Sequence, residues 1–502
     1  MEAKDLKNVI KWAKPVIQAI ISVLLLGLMI ISGLLPVKYF GIAAIIVILL
    51  LLITILTSRS RSLAARTFGT ILAILTCLIF LIGFVYLFQV IRTLNQVSGS
   101  NIEISTINVT VADSNPARSI EETSGYTFGV FKGTDGSNID TTIAEIGAIN
   151  GDTDIKTEIY DSALHLAQAI LDGNVDAGIC SQSYAALIED SIPDYSALTR
   201  IIYEKAFEEE LFPDPNGPID NSASLSTAEQ NPGKSFSPQK NISLTEDSYT
   251  ILISGIDVSG PINTRHRSDV NIMMTVNPKK HHILLSTTPR DFFVTIPGIS
   301  GESRDKLTHA GLYGVYSSMR TLENLYGIDI HGYIRINFDS LVQLIDELDG
   351  VDVHSDFSFD AAGYHFVEGM NHLNGDQALA FSRNRTSFKD GDNQRGKNQM
   401  LVLTAILNKL QSPALLKNPS GVLDVVGRSM QTSLSPSQIT GLISWQLDQG
   451  TGWVISRQAV IGTSDHQETF SIPGIKLFVL WPDESSVNEA ADNIREMMNT
   501  GY

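Results

Sequence analysis

Residues 268–291, SDVNIMMTVNPKKHHILLSTTPRD, carry the pattern on which the fold turns. Val270, Ile272, Met274 and Val276 alternate along an extended segment and share one face. The turn at Pro278, Lys279 and Lys280 sends the chain back through HHILLSTTP, so the stretch reads as a hairpin. Just upstream, SYTILISGID (248–257) is a buried strand ending in an aspartate. Downstream the pattern predicts a helix near 308–326, the strand GYIRINF (332–338), the helix SLVQLIDELDG closed by Gly350, and a long helix near 392–410. WVISRQAVIG (453–462) adds a strand and SSVNEAADNIREMM (485–498) a helix. The sum is an α/β fold, a mixed sheet covered by helices.

Residues 212–241 are rich in Pro, Ser, Asn and Gly and read as a linker, within 211–244, that separates this unit from what precedes it. Before the linker, strand-like YTFGVFKG, TDIKTEIYD, DAGICSQ and LTRIIYEKAF alternate with helix-like ALHLAQAILDG and YAALIED. That alternation predicts a small α/β accessory domain within 97–210. Residues 97–120 are polar, lack a long apolar period, and read as a stalk leading into it. The expected division is a cytoplasmic tail at 1–15, three transmembrane helices within 16–92, the accessory domain, the linker, a main domain at 245–485 and a C-terminal helix at 486–502.

The apolar runs at 16–35, 39–57 and 70–90 each approach the roughly 20 residues a helix needs to cross about 30 Å of hydrocarbon. Lys4, Lys7, Lys11 and Lys14 precede the first run, and Arg59, Arg61 and Arg66 lie between the second and third, whereas only Lys38 separates the first two. The positive-inside rule therefore predicts a cytoplasmic N-terminus and an extracellular chain beyond residue 92. The net charge of −18 conceals an asymmetry. Residues 1–96 hold nine basic and two acidic residues, leaving 27 basic and 52 acidic residues beyond them, so the outer part carries −25. Such a surface argues against nucleic acid as a partner. The two cysteines, Cys77 in the third run and Cys180 beyond it, cannot pair across that topology, and an outer region without disulfides fits a bacterial surface.

Within this acidic region, FSRNRTSFKDGDNQRGKNQM (381–400) gathers Arg383, Arg385, Lys389, Arg395 and Lys397. In an extended segment Arg383 and Arg385 leave the same face, and Arg395 and Gln399 share a stripe near the start of the following helix, which Asp392 or Asn393 can cap. Guanidinium forks beside a helix N-terminus suit phosphate oxygens. A solvated basic strip fits the same local pattern. TRHRSD (264–269) and TTPRD (287–291) favour the phosphate reading, because they place Arg267 and Arg290 at strand ends, where α/β sheets commonly hold ligands. Asp257 and Asp269 end one strand and begin the next. If those strands are neighbours, the two carboxylates can meet and hold a hard divalent cation, Mg²⁺; otherwise they are turn or cap aspartates. No HExxH, CxxC, Walker A, GxSxG or GxGxxG element is present.

Together, ILISGIDVS, RSDVNIMMTVNP, LSTTPRDFFVTIPG, DKLTHA, GYIRINFDSLVQLIDELDGVDV, LNGDQALAFSRNR and DGDNQRGKNQMLV, in that order over 245–410, resemble the LytR-CpsA-Psr family. Three spans followed by an accessory domain look like its capsule-associated, CpsA-type branch. Val270 stands where a Thr is common, and Lys397-Asn398-Gln399 where Arg-Gln-Gln is usual. The resemblance implies an α-β-α sandwich with an apolar cleft for a lipid tail beside the arginines. It also implies an enzyme, a Mg²⁺-dependent phosphotransferase of the plasma membrane of a Gram-positive bacterium. Such an enzyme moves a glycopolymer, here capsular polysaccharide, from polyprenyl pyrophosphate to a peptidoglycan hydroxyl.

Carried over by motif, Asp257 and Asp269 would hold the metal, and Arg267, Arg290, Arg383, Arg385, Arg395 and Gln399 the pyrophosphate. Arg290 would stabilise charge in the transition state, and Asp269 would orient or deprotonate the acceptor. Lys306 and His309 match the KLxHA piece and would line the site. Membrane lipid and capsule biosynthesis proteins are the other partners implied. The alternative is a non-enzymatic polyprenyl-pyrophosphate-binding regulator of capsule synthesis or export.

Overall fold

The computed structural model describes residues 3–97, 102–152, 154–210, 242–256, 262–385, 387, 392–411 and 419–499. Three helices lead: α1 (Ala3–Ser32), α2 (Val37–Arg59) and α3 (Leu63–Val97), each long and apolar enough to cross a membrane. They fit a membrane-anchored protein.

The accessory unit contains β1 (Ile102–Ala112), β2 (Thr127–Val130), α4 (Gly136–Asn150), β3 (Lys156–Ile159), α5 (Ala163–Leu171), β4 (Ala177–Ser181), α6 (Ala185–Ser191), α7 (Tyr195–Leu198) and β5 (Thr199–Glu210). Its sheet runs β3-β2-β4-β1-β5, so the segment read as a stalk is instead a strand paired on both sides. The reason lies in its inward-facing residues. Ile107, Val109 and Val111 are buried and apolar, but the next inward positions, Ser105 and Glu103, are buried and polar, so the apolar alternation stops half-way.

Of the expected linker, residues 211–241 lie outside the described residues, while Leu244 is already buried in the main unit. That unit opens with β6 (Tyr249–Ile256), β7 (Ser268–Asn277) and β8 (His282–Thr287), followed by the small ladder of β9 (Phe293–Thr295) and β10 (Arg304–Lys306). Next come α8 (Val315–Tyr326), β11 (Gly332–Asn337), α9 (Phe338–Glu347) and the short strands β12 (Val351–Ser355), β13 (Phe359–Ala361), β14 (Tyr364–Phe366) and β15 (Gly369–Leu373). Helices α10 (Gly375–Arg383), α11 (Asp392–Leu410) and α12 (Pro419–Ser429) precede β16 (Met430–Thr432), α13 (Pro436–Gln449), β17 (Val454–Ala459), β18 (Gly462–Thr469), β19 (Ile472–Pro482) and α14 (Glu484–Met498).

The central sheet runs β16-β11-β6-β7-β8-β17 and is mixed. β6 and β11 are parallel, as are β8 and β17, while β7 is antiparallel to both neighbours. Period-two alternation sends Leu252, Met273 and Leu284 to one face, against α8 and α14. It sends Ile251, Ile253, Ile272, Ile283 and Leu285 to the other, against Met400 of α11 and Leu434. Both faces are covered, so truncating a buried member such as Leu252 to Ala should cost about 2–5 kcal/mol.

Buried charge joins the two units. Glu103 of β1 accepts from Arg335 (2.8 Å) and from Arg265 (3.1 Å), and Arg265 also bonds Asp135 (2.9 Å) and pairs with Glu209. Backbone contact continues the join, the Ile104 amide donating to the Asn263 carbonyl at 2.8 Å.

Candidate active site

The site forms where strand ends meet. Thr287, last in β8, registers with Ile272 of β7 on one side and with Ala459, last in β17, on the other. A cleft at this edge is lined by Asp269, Thr287, Arg290, Asn393, Arg395 and Gln399, among others, with Ala459 and Val460 along one wall. Strand ends of α/β sheets leave backbone groups and side chains free to face a ligand, which is why sites collect there.

Helix α11 supplies the third wall with its first turns. A side-chain carbon on Gly396 would stand 3.0 Å from the Thr287 side chain, so glycine lets the helix start approach β8 closely. That approach brings Arg395, which is buried, and Gln399 to the cleft together.

Opposite them stands a chain of charge. Asp269 Oδ1 accepts from Arg290 Nη1 at 2.7 Å and from the Thr308 hydroxyl at 3.0 Å. Arg290 Nε lies 3.8 Å from Asp291, whose carboxylate also accepts from Lys306 Nζ (3.1 Å) and Arg385 Nη2 (3.3 Å). Burial pushes the Asp291 carboxyl up, but Lys306, Arg290 and Arg385 outweigh it and hold the group below the usual carboxylate range. Behind them, buried Asp305 accepts from the Ser471 amide (2.9 Å) and hydroxyl (2.5 Å) and bonds His309 Nδ1 (2.5 Å), fixing the turn that carries Thr308.

The expected ligands divide. Asp269, Arg290, Arg395 and Gln399 share the cleft, and Arg385 joins through Asp291. Arg383 is the last residue of α10 rather than part of an extended segment, and its guanidinium lies 5.1 Å from the centre of the Phe338 ring. The helix persists because Asn374 and Gln377 form a capping box and Ala378, Phe381 and Ser382 are buried. Arg267 is not among the cleft-lining residues; it pairs with Asp190 of the accessory unit. Asp257 and Lys389 lie outside the described residues.

Asp269 offers a hard carboxylate at the cleft wall, a donor of the kind Mg²⁺ prefers. No group of three or more His, Cys, Asp or Glu placed to hold a metal occurs among the described residues, so such an ion would draw on Asp257, ligand oxygens or water as well.

Residues 219–468 match the LytR_cpsA_psr family. A polyisoprenyl-teichoic acid–peptidoglycan teichoic acid transferase TagU of Enterococcus faecalis is 34% identical over 218 residues, covering 43% of this chain and 71% of that protein. The chain belongs to the LytR-CpsA-Psr family.

Other family members of the same name are similar too. That of Oceanobacillus iheyensis is 32% identical over 207 residues, 40% of this chain and 63% of the relative. That of Bacillus mycoides is 36% identical over 191 residues, 38% of this chain and 62% of the relative. This chain thus spans under two thirds of the length of these two relatives. Among solved structures, B. subtilis TagV aligns with a TM-score of 0.43 at 24% identity, over 51% of this chain and 99% of that one.

Three residues of this candidate site are not evident from the sequence alone. Asp291 directly follows Arg290 and was visible in TTPRD, but only the fold shows that it gathers three cations. Thr308 sits inside the KLxHA piece, masked by the more conspicuous Lys306 and His309. Asn393, which the sequence offers with Asp392 as a cap, also lines the cleft.

Proposed function

We propose that this protein transfers a glycopolymer from a polyprenyl-pyrophosphate carrier to a peptidoglycan hydroxyl, on the outer face of the plasma membrane. The observation that carries this reading is the convergence of Arg290, Arg395 and Gln399 on one cleft with the Asp269 carboxylate in its wall. The names of the family relatives, which specify polyisoprenyl-linked teichoic acid and peptidoglycan, support the reaction class. Three spans and an accessory unit, as in the capsule-associated branch, support capsular polysaccharide as the polymer.

In this reading Arg395, Gln399 and Arg385 hold the diphosphate, and Arg290 swings from Asp269 to the oxygens on which charge builds. The acceptor hydroxyl attacks the phosphorus that bears the sugar. The bond from that phosphorus to the bridging oxygen breaks, polyprenyl phosphate leaves, and the acceptor proton passes to Asp269 or solvent. Asp269 and Asp257 would hold Mg²⁺, which would neutralise phosphate charge when bound.

The test is full-length protein in detergent with Mg²⁺, a polyprenyl-pyrophosphate glycan and a peptidoglycan acceptor, followed by chromatography of the lipid. Release of polyprenyl phosphate matched by acceptor-linked glycan is the expected result. Tight donor binding without release under any divalent metal would instead make the protein a lipid-pyrophosphate-binding regulator.

A further inference from the structure

We propose that α13 is an interfacial helix that lies on the membrane surface and seats the main unit on lipid through Ile443 and Leu447. The helix is well defined. A capping box of Ser435 and Gln438 with Pro436 in the first turn starts it, and Gly450 in the left-handed region (φ 64°) stops it. Its 14 residues span about 21 Å.

Its contacts fix its position. A side-chain carbon on Gly33, just past the end of α1, would stand 3.6 Å from Thr440 Oγ1. Leu34 packs with Val90 and Leu94 of α3, and Ile439 of α13 packs against that cluster. Eight residues beyond Thr440, Asp448 pairs with Lys38 at the start of α2 (2.9 Å), and the Lys38 ammonium also donates to the Asp448 carbonyl (2.7 Å). Because α1 and α2 are spans, the turn between them lies at one bilayer face. A helix that touches both span ends with points about 12 Å apart runs across them, near the membrane plane.

The side chains agree with that placement. Thr440, Ile443 and Leu447 are spaced i, i+3 and i+7 and form one stripe. Thr440 meets Gly33, while Ile443 and Leu447 are 38% and 46% exposed, an apolar pair partly open at the surface. Ile439 and Leu442 turn toward the core, and Trp445 stacks on His281 with ring centres 5.0 Å apart. Exposed Ile30, Ile31 and Val37 stand at the same span ends that Thr440 and Asp448 touch, so the occupant we assign to the exposed pair is lipid at the boundary between headgroups and acyl chains. The Lys38 ammonium and the nearby Trp445 and Trp453 are residue types that favour that depth.

One consequence concerns the cleft. Trp453 lies beside Trp445 (ring centres 5.6 Å apart), and β17 leads from it to Ala459 in the cleft wall. Six residues of strand cap that separation at about 20 Å, so α13 would keep the cleft within that distance of the bilayer surface. The inference stands whether or not the cleft transfers a glycopolymer.

The test uses full-length protein in phosphatidylcholine–phosphatidylglycerol vesicles, with an environment-sensitive fluorophore on Ile443→Cys or Leu447→Cys in a Cys77→Ala background. Cys180 is partly buried, and desolvation pushes its thiol up to about 12, which leaves little thiolate to react with the label. A control label replaces Glu489 on α14, across the sheet. At 443 and 447 we expect quenching by shallow nitroxide-labelled lipid to exceed that by aqueous iodide at least threefold, with the order reversed at 489. Iodide quenching equal to the control would overturn the proposal. So would shielding from both quenchers, which would mean that protein, such as a second copy of the chain, covers the stripe.

Discussion

Two buried ion clusters in this molecule use the same residue types toward different ends. At the join between the units, two guanidiniums, Arg265 and Arg335, meet three carboxylates, Glu103, Asp135 and Glu209. Arg335 is 1% exposed and Glu103 0%. Burial and the Arg335 and Arg267 charges press neighbouring His266 down to about 4, so it adds no charge at neutral pH. At the cleft, Arg290 pairs with Asp269 and approaches Asp291, Lys306 and Arg385 pair with Asp291, and Arg395 lines the same opening. Arg290 is 22% and Arg385 37% exposed at the side chain. A cluster centred on the buried Arg335–Glu103 pair fixes structure, because removing either member strands the other in low dielectric. A cluster of guanidiniums and an ammonium that borders a solvent-open cleft can offer charge-assisted hydrogen bonds to an anion that enters it.

That contrast can be broken by substitution. The largest effect on stability is expected from Glu103→Ala, which takes the paired carboxylate from buried Arg335 and one of three from Arg265 and should lower unfolding free energy by about 3–5 kcal/mol in chemical denaturation. Equal stability would mean that the join is not the sealed structure described. Arg290→Ala should behave in the opposite way, leaving the thermal midpoint little changed while reducing transfer by about 10²–10³. Asp291→Asn removes the charge, and one of the two acceptor oxygens, shared by Lys306 and Arg385 and should cost about 1–3 kcal/mol, with a loss of activity through misplaced cations.

Acid titration sharpens the comparison further. The Asp291 carboxyl is held below its unfolded value, so its contribution is present above the ordinary carboxylate range and is lost as pH falls through its folded value. At Asp135 burial raises the carboxyl despite Arg265, so stability there is greater below the unfolded value and declines as pH rises through the folded one. Asp291→Asn should therefore flatten the acid limb of a stability–pH curve, and Asp135→Asn should steepen it. Identical curves would show that the clusters do not differ in this way. The smallest effect is expected from Gly396→Ala. It crowds Thr287 by a few tenths of an ångström, and binding of inorganic pyrophosphate should weaken severalfold with little loss of stability.

The sequence made the open cluster easier to read than the sealed one. Arg290, Arg395, Gln399 and Asp269 sit at strand ends or helix starts, where periodicity places them without tertiary knowledge. The β7–β8 hairpin is legible because Val270, Ile272, Met274 and Val276 alternate without interruption, whereas the pairing of β6 with β7 is not. Strand β1 was not, since Glu103 and Ser105 occupy inward positions that only partners more than 25 residues away make tolerable. Strand β18, GTSDHQET, gives no apolar signal because its pairing with β19 leaves four of its eight residues exposed and only Thr469 buried. Arg383 was assigned to extended chain because the capping box that starts α10 lies nine residues before it. The pairing of Arg267 with Asp190 depends on how two units dock, which no local pattern encodes.

The most direct test of the cleft is a structure of the full chain in nanodiscs with bound polyprenyl pyrophosphate. Both phosphates resting on Arg290, Arg395 and Gln399 beside Asp269 is the expected result. A headgroup bound elsewhere, with Arg290 still closed on Asp269, would contradict the assignment.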